Sequence, residues 1–397
     1  MEQSNSLYQS YAEELAQIKE QNSYRYFKDI ARDPTGYIKL SMQPQPTSSL
    51  GLMLDLSSND YLGLSFDSIL LEEFRDSYGL PLHCLGSASS RLLTGHFEEH
   101  AKLEQLLAES FGRAALVFNS GYHANLGILP ALADERSLIV SDELIHASMI
   151  DGIRLSKAQR QRFAHQDYAQ LEQLLIEAEN NSTIDKVFVV VESVYSMDGD
   201  IADLRALVQL KNTYPKVMLY VDEAHGIGVF GERGLGVAED QGIIDQIDFL
   251  VGAFGKAIAS VGGYLICAPV IREYLVNTMR PLIFSTNLPP INAAWTAFTF
   301  KKMLSMQKAR ADLRQLSMSL RQAVLDRGLD CPGQSHIVPI VYGSNQVAID
   351  KAATMQQAGF YALPIRYPTV PQGQARVRMS LHAALSWGQL EPLLEYC

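Results

Sequence analysis

The sequence predicts an α/β fold: a mostly parallel central sheet with helices on both faces, followed by a smaller α+β region. Two patterns support this prediction. Between residues 51 and 290, short runs of Val, Ile and Leu alternate with amphipathic runs, which is typical of strands buried on both sides of a parallel sheet. After the proline-marked break at 287–295, the pattern changes to a long helical run and short strand-like segments.

The elements follow in order along the chain. Residues 8–28 carry Leu, Ile, Tyr and Phe at helical spacing and predict an N-terminal arm. The Pro- and Ser-rich segment 43–51 predicts a loop and a boundary. The predicted strands are AALVFN (114–119), SLIVSD (137–142), KVFVVVES (186–193), VMLYVDE (217–223) and GGYLICA (262–268). The predicted helices include 96–112, 167–180 and a long one over about 291–328.

These elements divide the chain into three parts. We expect an N-terminal arm over 1–50, a large α/β domain over 51–290 and a small α+β domain over 291–397. A chain of 397 residues is long enough for a large core and a second lobe.

Composition limits the classes of partner. The net charge is −11, and this acidic balance argues against nucleic acid or an anionic membrane as a partner. The four cysteines lack C-x-x-C spacing, and residues 1–21 lack the apolar core of a secretory signal. We therefore expect free thiols and a cytoplasmic protein. The apolar run 249–270 is broken by glycines and contains a lysine, so it is a poor membrane span.

That lysine, Lys256, is the first candidate functional residue. A buried ammonium is costly, so a lysine in apolar surroundings tends to lose its proton. The neutral amine is a nucleophile that can form a Schiff base with an aldehyde cofactor. Small neighbours such as Gly252, Ala253 and Gly255 would leave room for a ring. The alternative is a lysine whose stem crosses an apolar surface while its head reaches water.

A second candidate pair lies in YVDEAHGIGVFGERGLG (220–236). Asp222 ends a predicted strand and His225 follows in a turn, at the strand end where functional groups gather in open α/β sheets. A carboxylate and an imidazole placed there could hold a ring nitrogen and a ring oxygen of a flat heteroaromatic ligand. The alternative is a helix cap and a turn histidine without function.

A third candidate is the turn in VFNSGYHANLG (117–127). It runs from a strand through Ser-Gly into a predicted helix, whose first N–H groups could hold a phosphate. Many strand-to-helix turns look alike, so the pattern alone is weak.

Two further motifs point to other classes of protein. DEAH (222–225) matches a helicase box, but the phosphate-binding loop GxxxxGK[ST] that a helicase needs does not occur in the chain. HFEEH (96–100) fits the zinc-protease pattern HxxEH, with two histidines on one helix face. A charged helix start explains the second motif as well, and we expect no metal site.

The three candidates together describe the binding site that pyridoxal phosphate needs: a phosphate site, an acid, a histidine and a lysine. Longer motifs then identify a family resemblance. SSNDYLGLS (57–65), GSASSRLLTGHFEEH, SDELIHASMIDG, VESVYSMDGD, VDEAHGIGVFGERGLG and RYPTVPQGQARVRMSLHAALS (366–386) resemble the α-oxoamine synthases, which are fold-type I pyridoxal-phosphate enzymes. The resemblance covers most of the chain in the family's order.

The resemblance implies roles for the residues that match the family's cofactor site. Lys256 would bind the aldehyde, Asp222 the pyridine nitrogen and His225 the phenolic oxygen, while His146 would stack on the ring. The other implied cofactor contacts are Ser196, Ser120, Gly121, Tyr122, Ser285 and Thr286. The last two would reach the phosphate of the partner subunit, which implies a homodimer.

The resemblance also implies the substrates and their contacts. Arg378 would bind the amino-acid carboxylate, with Asn59 nearby and Arg366 as a further helper, and Arg25 and Thr369 match acyl-substrate contacts. The implied reaction is the decarboxylative condensation of L-alanine with a pimeloyl thioester of CoA or acyl carrier protein. The alternatives are glycine or serine with another acyl-CoA, or a protein that binds the cofactor without turnover.

One position departs from the family pattern. Family members often carry Thr or Ser three residues before the lysine, and this chain has Ala253. One hydrogen bond to a charged group contributes about 1.5–3 kcal/mol. We therefore expect weaker cofactor binding or compensation by a neighbour.

Overall fold

The centre of the molecule is a seven-stranded sheet. The computed structural model describes residues 2–33, 35–40, 51–78 and 85–397. The strands of this part of the chain are β1 (Ile30–Arg32), β2 (Tyr37–Leu40), β3 (Met53–Asp55), β4 (Ala114–Phe118), β5 (Ser137–Asp142), β6 (Gln159–Phe163), β7 (Lys186–Glu192), β8 (Val217–Asp222), β9 (Phe249–Ala253), β10 (Gly263–Cys267), β11 (Ile337–Gly343), β12 (Phe360–Tyr361), β13 (Leu363–Ile365) and β14 (Ala375–Ser380).

The order of strands in the central sheet is β4-β10-β9-β8-β7-β5-β6. Neighbouring strands from β9 to β6 are parallel, whereas β10 is antiparallel to both β4 and β9. The mostly parallel sheet is therefore confirmed. The sequence did not indicate that GGYLICA, the strand β10, runs antiparallel to its neighbours; β9 and β10 form a hairpin whose loop is too short for a crossover.

The sheet is covered on both faces, as the apolar strands predict. On β7, Val187, Val189 and Val191 pack into one buried cluster, while Phe188 and Val190 pack into the cluster on the opposite face. Successive side chains of a strand point to opposite faces. Both faces of β7 are therefore removed from water.

The helices cover these two faces and extend to the C-terminal region. They are α1 (Glu2–Glu20), α2 (Ser68–Tyr78), α3 (Glu98–Phe111), α4 (Gly121–Leu132), α5 (Ala147–Leu155), α6 (Tyr168–Asn180), α7 (Leu204–Thr213), α8 (Val237–Asp240), α9 (Pro269–Thr278), α10 (Arg280–Ile283), α11 (Pro290–Leu304), α12 (Gln307–Leu325), α13 (Asn345–Gln357) and α14 (Trp387–Leu390). None of these helices is both long enough and apolar enough to cross a bilayer.

Two predicted helices end elsewhere than expected. The N-terminal helix stops at Glu20, and residues 23–29 have no regular structure. The long helix predicted over 291–328 is interrupted at Ser305 and Met306, which separate α11 from α12. Neither proline nor glycine stands at this break, so no helix-breaking residue marks it.

Two smaller sheets surround the centre. β11, β14 and β13 form an antiparallel sheet in the C-terminal region, and β1, β2, β3 and β12 form a mixed sheet. β3 pairs in parallel with β12, so residues 53–55 contact the C-terminal region directly. Most of the predicted loop 43–51 lies outside the described residues, and the domain boundaries stay a prediction.

Candidate active site

The candidate residues gather at the carboxyl ends of β7, β8 and β9. Asp222 is the last residue of β8, and Lys256 lies in the loop that joins β9 to β10. Parallel strands bring their carboxyl ends to one edge of the sheet. The fold therefore places the acid and the lysine together, although 33 positions separate them in the sequence.

Lys256 is hydrogen-bonded to His225. Its Nζ lies 2.8 Å from Nε2 of the imidazole, and Nδ1 of that ring lies 2.6 Å from the hydroxyl of Tyr61. The Tyr61 hydroxyl donates to Oδ1 of Asn59 at 3.0 Å. Because the phenol has one proton, it accepts from Nδ1–H of His225, and Nε2 is left to accept from the lysine.

Burial sets the protonation of this pair. Loss of solvation lowers the pKa of Lys256 to about 8, since a buried site disfavours the charged amine. Burial also lowers the pKa of His225 well below its ordinary value, and the charges of Lys256 and Arg378 lower it further. The imidazole is therefore neutral, and the amine gives up its proton at a lower pH than an exposed lysine does.

Asp222 is fixed in orientation by hydrogen bonds. Its Oδ2 accepts from Nδ2 of Asn125 at 2.8 Å, and its Oδ1 accepts from the backbone N–H of Ala224 at 2.9 Å. Oδ1 of Asn125 in turn accepts from the buried Tyr220 hydroxyl at 2.6 Å. These bonds fix the orientation of the carboxylate, which can pair with a protonated ring nitrogen.

The phosphate-site candidates lie at the start of α4. Ser120 caps this helix by accepting from the backbone N–H of His123 at 3.1 Å. A Cβ on Gly263 would lie 2.6 Å from the backbone nitrogen of Gly121, so only glycine at 263 lets the helix begin this close to β10. A Cβ on Gly121 would lie 3.3 Å from the Cβ of Ala253. Ala253 therefore faces the helix start, where an anion binds well.

His146 and Tyr122 lie beside this helix start. His146 caps α5, with Nδ1 2.8 Å from the hydroxyl of Ser148. Burial lowers the pKa of His146, against the opposing charge of Asp222. The Tyr122 ring meets His146 edge-on, with 6.4 Å between ring centroids, and its hydroxyl donates to Asp151. A neutral imidazole in this position can stack on an aromatic ligand.

Arg378 is buried at the other side of Lys256. The guanidinium donates to Oδ1 of Asn59 at 3.2 Å and to the hydroxyl of Ser380 at 2.8 Å. It also donates to the carbonyl of Ser196 at 2.5 Å. Ser196 thus contributes its backbone here, and both nitrogens of His225 are already bonded to other side chains. The contact of the Ser196 side chain with the cofactor stays a prediction.

The predicted acyl contacts meet on the surface. The Arg25 guanidinium donates to the hydroxyl of Thr369 at 2.8 Å, across segments far apart in the sequence. Arg366 donates instead to the carbonyl of Asn22. These residues form an outer group, separate from the buried residues around Lys256.

Ser285 and Thr286 lie close to the start of α4 in their own chain. The Thr286 carbonyl accepts from Nδ2 of Asn119 at 2.7 Å, and Asn119 directly precedes Ser120. Ser285 lines a small cavity with Arg91, Asn119 and His123. A contact of either side chain with a partner subunit stays a prediction.

The residues present fit pyridoxal phosphate. A helix start that glycine leaves open can hold the phosphate, Asp222 can pair with the pyridine nitrogen, and Lys256 presents an amine whose pKa is lowered to about 8. The zinc alternative lacks its ligands: both ring nitrogens of His100 are bonded, to the backbone N–H of Phe97 and to the carbonyl of Leu288.

Two residues that hydrogen-bond to the predicted site residues, Tyr61 and Asn125, were not predicted from the sequence. Tyr61 lies in the quoted motif SSNDYLGLS, two positions after Asn59, and its burial was the missing information. Asn125 is a polar residue inside the apolar run of α4, which is a signal that could have identified it, since buried polar groups need partners.

Comparison with known proteins gives consistent results. The family model for aminotransferase class I and II matches residues 52–396. A Pasteurella multocida protein named "Putative 8-amino-7-oxononanoate synthase" is 53% identical over 97% of each chain. A Neisseria meningitidis protein of the same name is 50% identical over 95% of this chain and 96% of its own.

Solved structures are similar as well. Serine palmitoyltransferase of Sphingomonas wittichii has a TM-score of 0.86 and 31% identity, covering 97% of this chain and 94% of its own. 8-Amino-7-oxononanoate synthase of Francisella tularensis has a TM-score of 0.72 and 29% identity, covering 87% of this chain and 96% of its own.

Proposed function

Because the chain belongs to the aminotransferase class I and II family, and within it to the α-oxoamine synthases, we propose that it condenses L-alanine with a pimeloyl thioester to give 8-amino-7-oxononanoate. The chain is a fold-type I, pyridoxal-phosphate-dependent enzyme of the acyltransferase kind, as the sequence predicts. The observation that carries the proposal is the half-buried Lys256, whose pKa is lowered to about 8 and whose amine lies 2.8 Å from His225.

The chain's own residues have three tasks at the cofactor. Bound pyridoxal phosphate supplies an aldehyde that captures amines and a ring that accepts electrons from the amino acid. Asp222 keeps the ring nitrogen protonated, because its carboxylate is fixed by Asn125 and Ala224. Lys256 holds the cofactor at rest, and its Nζ then takes the Cα proton of alanine. An amine with a pKa near ambient pH suits this step.

Arg378 orients the amino acid. Its guanidinium is buried and already fixed by Asn59, Ser380 and Ser196, so it can bind the alanine carboxylate without losing much side-chain freedom. His146, whose pKa burial lowers, caps α5 on the same side of the site and would stack on the ring of the bound cofactor. This positioning can lower the activation free energy by several kcal/mol; well-oriented intramolecular reactions gain about 7–11 kcal/mol.

The acyl donor enters on the side of Arg25 and Thr369. The Cα carbon of alanine attacks the thioester carbonyl, and the thiol of CoA or of an acyl carrier protein leaves. The β-keto acid then loses carbon dioxide and gains a proton, so that alanine and pimeloyl thioester give 8-amino-7-oxononanoate, carbon dioxide and free thiol. An exposed guanidinium such as that of Arg25 suits the anionic end of the acyl chain.

A second candidate is the same reaction with serine or glycine and a different acyl-CoA. The observation that favours it is the likeness to serine palmitoyltransferase over nearly the whole chain. Lys256 and Asp222 serve either reaction equally, so they do not separate the two. The higher sequence identity to the proteins named as oxononanoate synthases favours alanine and pimeloyl.

We propose further that the enzyme is a cytoplasmic homodimer. Leu92, Leu93 and Phe284 are 52%, 79% and 72% exposed in the single chain, beside the segment with Ser285 and the start of α4. An exposed apolar patch of this kind marks a contact surface, and a second copy would cover it. Sedimentation of the purified chain tests the dimer.

Two experiments test the proposed function. Each of L-alanine, glycine and L-serine is paired with pimeloyl, acetyl, succinyl and palmitoyl thioesters, on CoA and on carrier protein, and thiol release is followed. The proposal expects alanine with pimeloyl to react with the highest kcat/KM; another preferred pair would replace it. Borohydride reduction and peptide mapping should place the pyridoxyl label on Lys256, and a label elsewhere would refute the role of this residue.

A further inference from the structure

Glu192 is a buried carboxyl group that none of the steps above uses. It is the last residue of β7 and is 3% exposed. Its Oε1 has no hydrogen-bond partner among the residues that the structure describes. A buried polar atom without a partner lowers the stability of the fold, so a carboxyl group at this position needs a physical reason.

Glu192 stands directly beside Asp222. The register of β7 and β8 pairs these two residues, and neighbouring strands lie about 4.8 Å apart. Alternation along the strands puts Glu192 on the face of Phe188 and Val190, and Asp222 on the face of Tyr220; all three apolar neighbours belong to one buried cluster. The two carboxyl groups therefore share one side of the sheet, away from water.

Two ionised carboxylates cannot be held this close in a buried site without a large penalty, so one of them keeps a proton. The hydrogen bonds decide which. Asp222 accepts from Asn125 and from the N–H of Ala224, and both donors favour its charged form. Oε1 of Glu192 has no partner among the described residues, and a hydrogen bond from the backbone N–H of His146 lowers the pKa of Glu192 less than burial raises it.

We propose that Glu192 is a neutral carboxylic acid in the working enzyme. It is a positioning residue that leaves Asp222 as the single negative charge at the ends of β7 and β8 and fixes the backbone of His146. The proposal deepens the proposed function, on which it rests for the role of Asp222, but the protonation of Glu192 itself needs no substrate.

The charged and titratable groups around Glu192 are consistent with this assignment. Burial and the charge of Asp222 raise the pKa of Glu192 well above its ordinary value, and the charge of Lys256 opposes them only in part. The groups that face it from the neighbouring elements are Asp222, Asp142, Lys256, His146, Tyr61 and Tyr195.

A neutral Glu192 also matters for Lys256. An ionised glutamate nearby would stabilise the ammonium and raise the pKa of the lysine. With the proton on Glu192, the lysine amine is easier to deprotonate. Glu192 thus favours the neutral amine of Lys256 without touching the substrate.

Infrared difference spectra of the full chain with bound cofactor, wild type minus each variant, test the protonation directly. Glu223 is the matched control, because it is a second buried glutamate whose carboxylate accepts from Val237, Ala238 and Ser193. Burial raises the pKa of Glu223 to about 7, so spectra are recorded well above that pH. We expect a protonated-carboxyl C=O band that E192Q removes and E223Q leaves. Absence of the band, or its loss in E223Q and not in E192Q, would overturn the proposal.

A second measurement covers the case in which E223Q does not fold. An acid whose pKa is raised by folding loses stabilisation as pH rises from its unfolded pKa toward its folded one. The melting temperature of E192Q should therefore rise relative to the wild type as pH increases, because glutamine does not titrate. A difference that stays flat across pH would show that Glu192 is ionised and would refute the proposal. If alanine and pimeloyl fail as substrates while these results hold, the proposed function fails and this inference stands.

Discussion

Nζ of Lys256 lies 2.8 Å from Nε2 of His225. The histidine is neutral, since burial and two nearby cations hold its pKa well below the ordinary value. Its Nε2 therefore accepts a hydrogen bond from the lysine. Its Nδ1–H donates to the Tyr61 hydroxyl, which in turn donates to Asn59. The buried amine is oriented by a chain of hydrogen bonds that reaches the residue bonded to Arg378.

Capture of pyridoxal phosphate by the cofactor-free protein should depend on the protonation of Lys256. Only the uncharged amine attacks an aldehyde, and the pKa of Lys256 is lowered to about 8. The second-order rate should rise about tenfold per pH unit below that value and level off above it, because one proton is lost. Stopped-flow absorbance measures the rate. A plateau that is reached only near the ordinary lysine pKa would contradict the burial effect.

Replacing Tyr61 by Phe should weaken the orientation of His225. The variant keeps the buried ring and removes the hydroxyl that bonds His225 and Asn59. An unsatisfied buried donor costs about 1–3 kcal/mol, so we expect kcat/KM to fall about 5- to 150-fold. Steady-state kinetics measures the loss, and the melting temperature of Y61F is the control for general damage. An unchanged kcat/KM would show that Tyr61 has no part in placing the histidine.

Introducing a hydroxyl at Ala253 should tighten cofactor binding. Ala253 faces the start of α4, and a hydrogen bond to a charged phosphate contributes about 1.5–3 kcal/mol. A253T should lower the dissociation constant of pyridoxal phosphate about 10- to 150-fold. A253V is the control of the same shape, and fluorescence titration of both gives the comparison. Equal affinities for A253T and A253V would mean that no phosphate oxygen lies within reach.

The substitution R378K should weaken binding of the amino-acid substrate. Lysine lacks the planar group that donates to Asn59, Ser380 and Ser196 at once. We expect the KM for the amino acid to rise about tenfold or more, since the lost bond to a carboxylate contributes about 1.5–3 kcal/mol. R376K is the matched control on the same strand, because Arg376 pairs with Asp198 instead. It should change the melting temperature and not this KM; a KM increase in both variants would argue against the assignment.

His165 should stabilise the loops that carry His146 and Ser196. Its imidazole lies between Asp142 and Asp200, at 3.0 and 2.7 Å. Burial alone would lower its pKa, but the bonds to both carboxylates raise it to about 10. This stabilisation is complete below the unfolded pKa of histidine and is lost as pH rises through about 10. H165Q should lower the free energy of unfolding on the order of 3 kcal/mol at neutral pH, and less above pH 10. Chemical denaturation measures it, and a pH-independent loss would contradict the ion pairs.

The sequence predicts the strands well and their directions less well. All five predicted strands form, with bounds within one residue of those observed. β6, QRQRF, was missed because it is an edge strand with mostly exposed polar residues, where apolar alternation gives no signal. The reversed direction of β10 depends on its pairing with β4, and single-strand patterns carry no information on pairing.

The same limit applies to the site. Lys256, Asp222 and His225 stand out because charged or polar residues interrupt apolar runs or end strands. The partners that hold them are set by the fold: Tyr61 reaches His225 across 164 positions, and Asn125 reaches Asp222 across 97. The unequal environments of Glu192 and Asp222 likewise follow from strand register, which the sequence alone does not reveal.

The bond between Arg25 and Thr369 joins two exposed segments that lie outside the central sheet. Under the proposed function these segments contact the acyl chain, so substitutions in them should change the acyl preference and leave the hydrogen bonds around Lys256 in place. For protein engineers, the same division recommends randomising the surface around positions 25 and 369 before altering any residue of the interior.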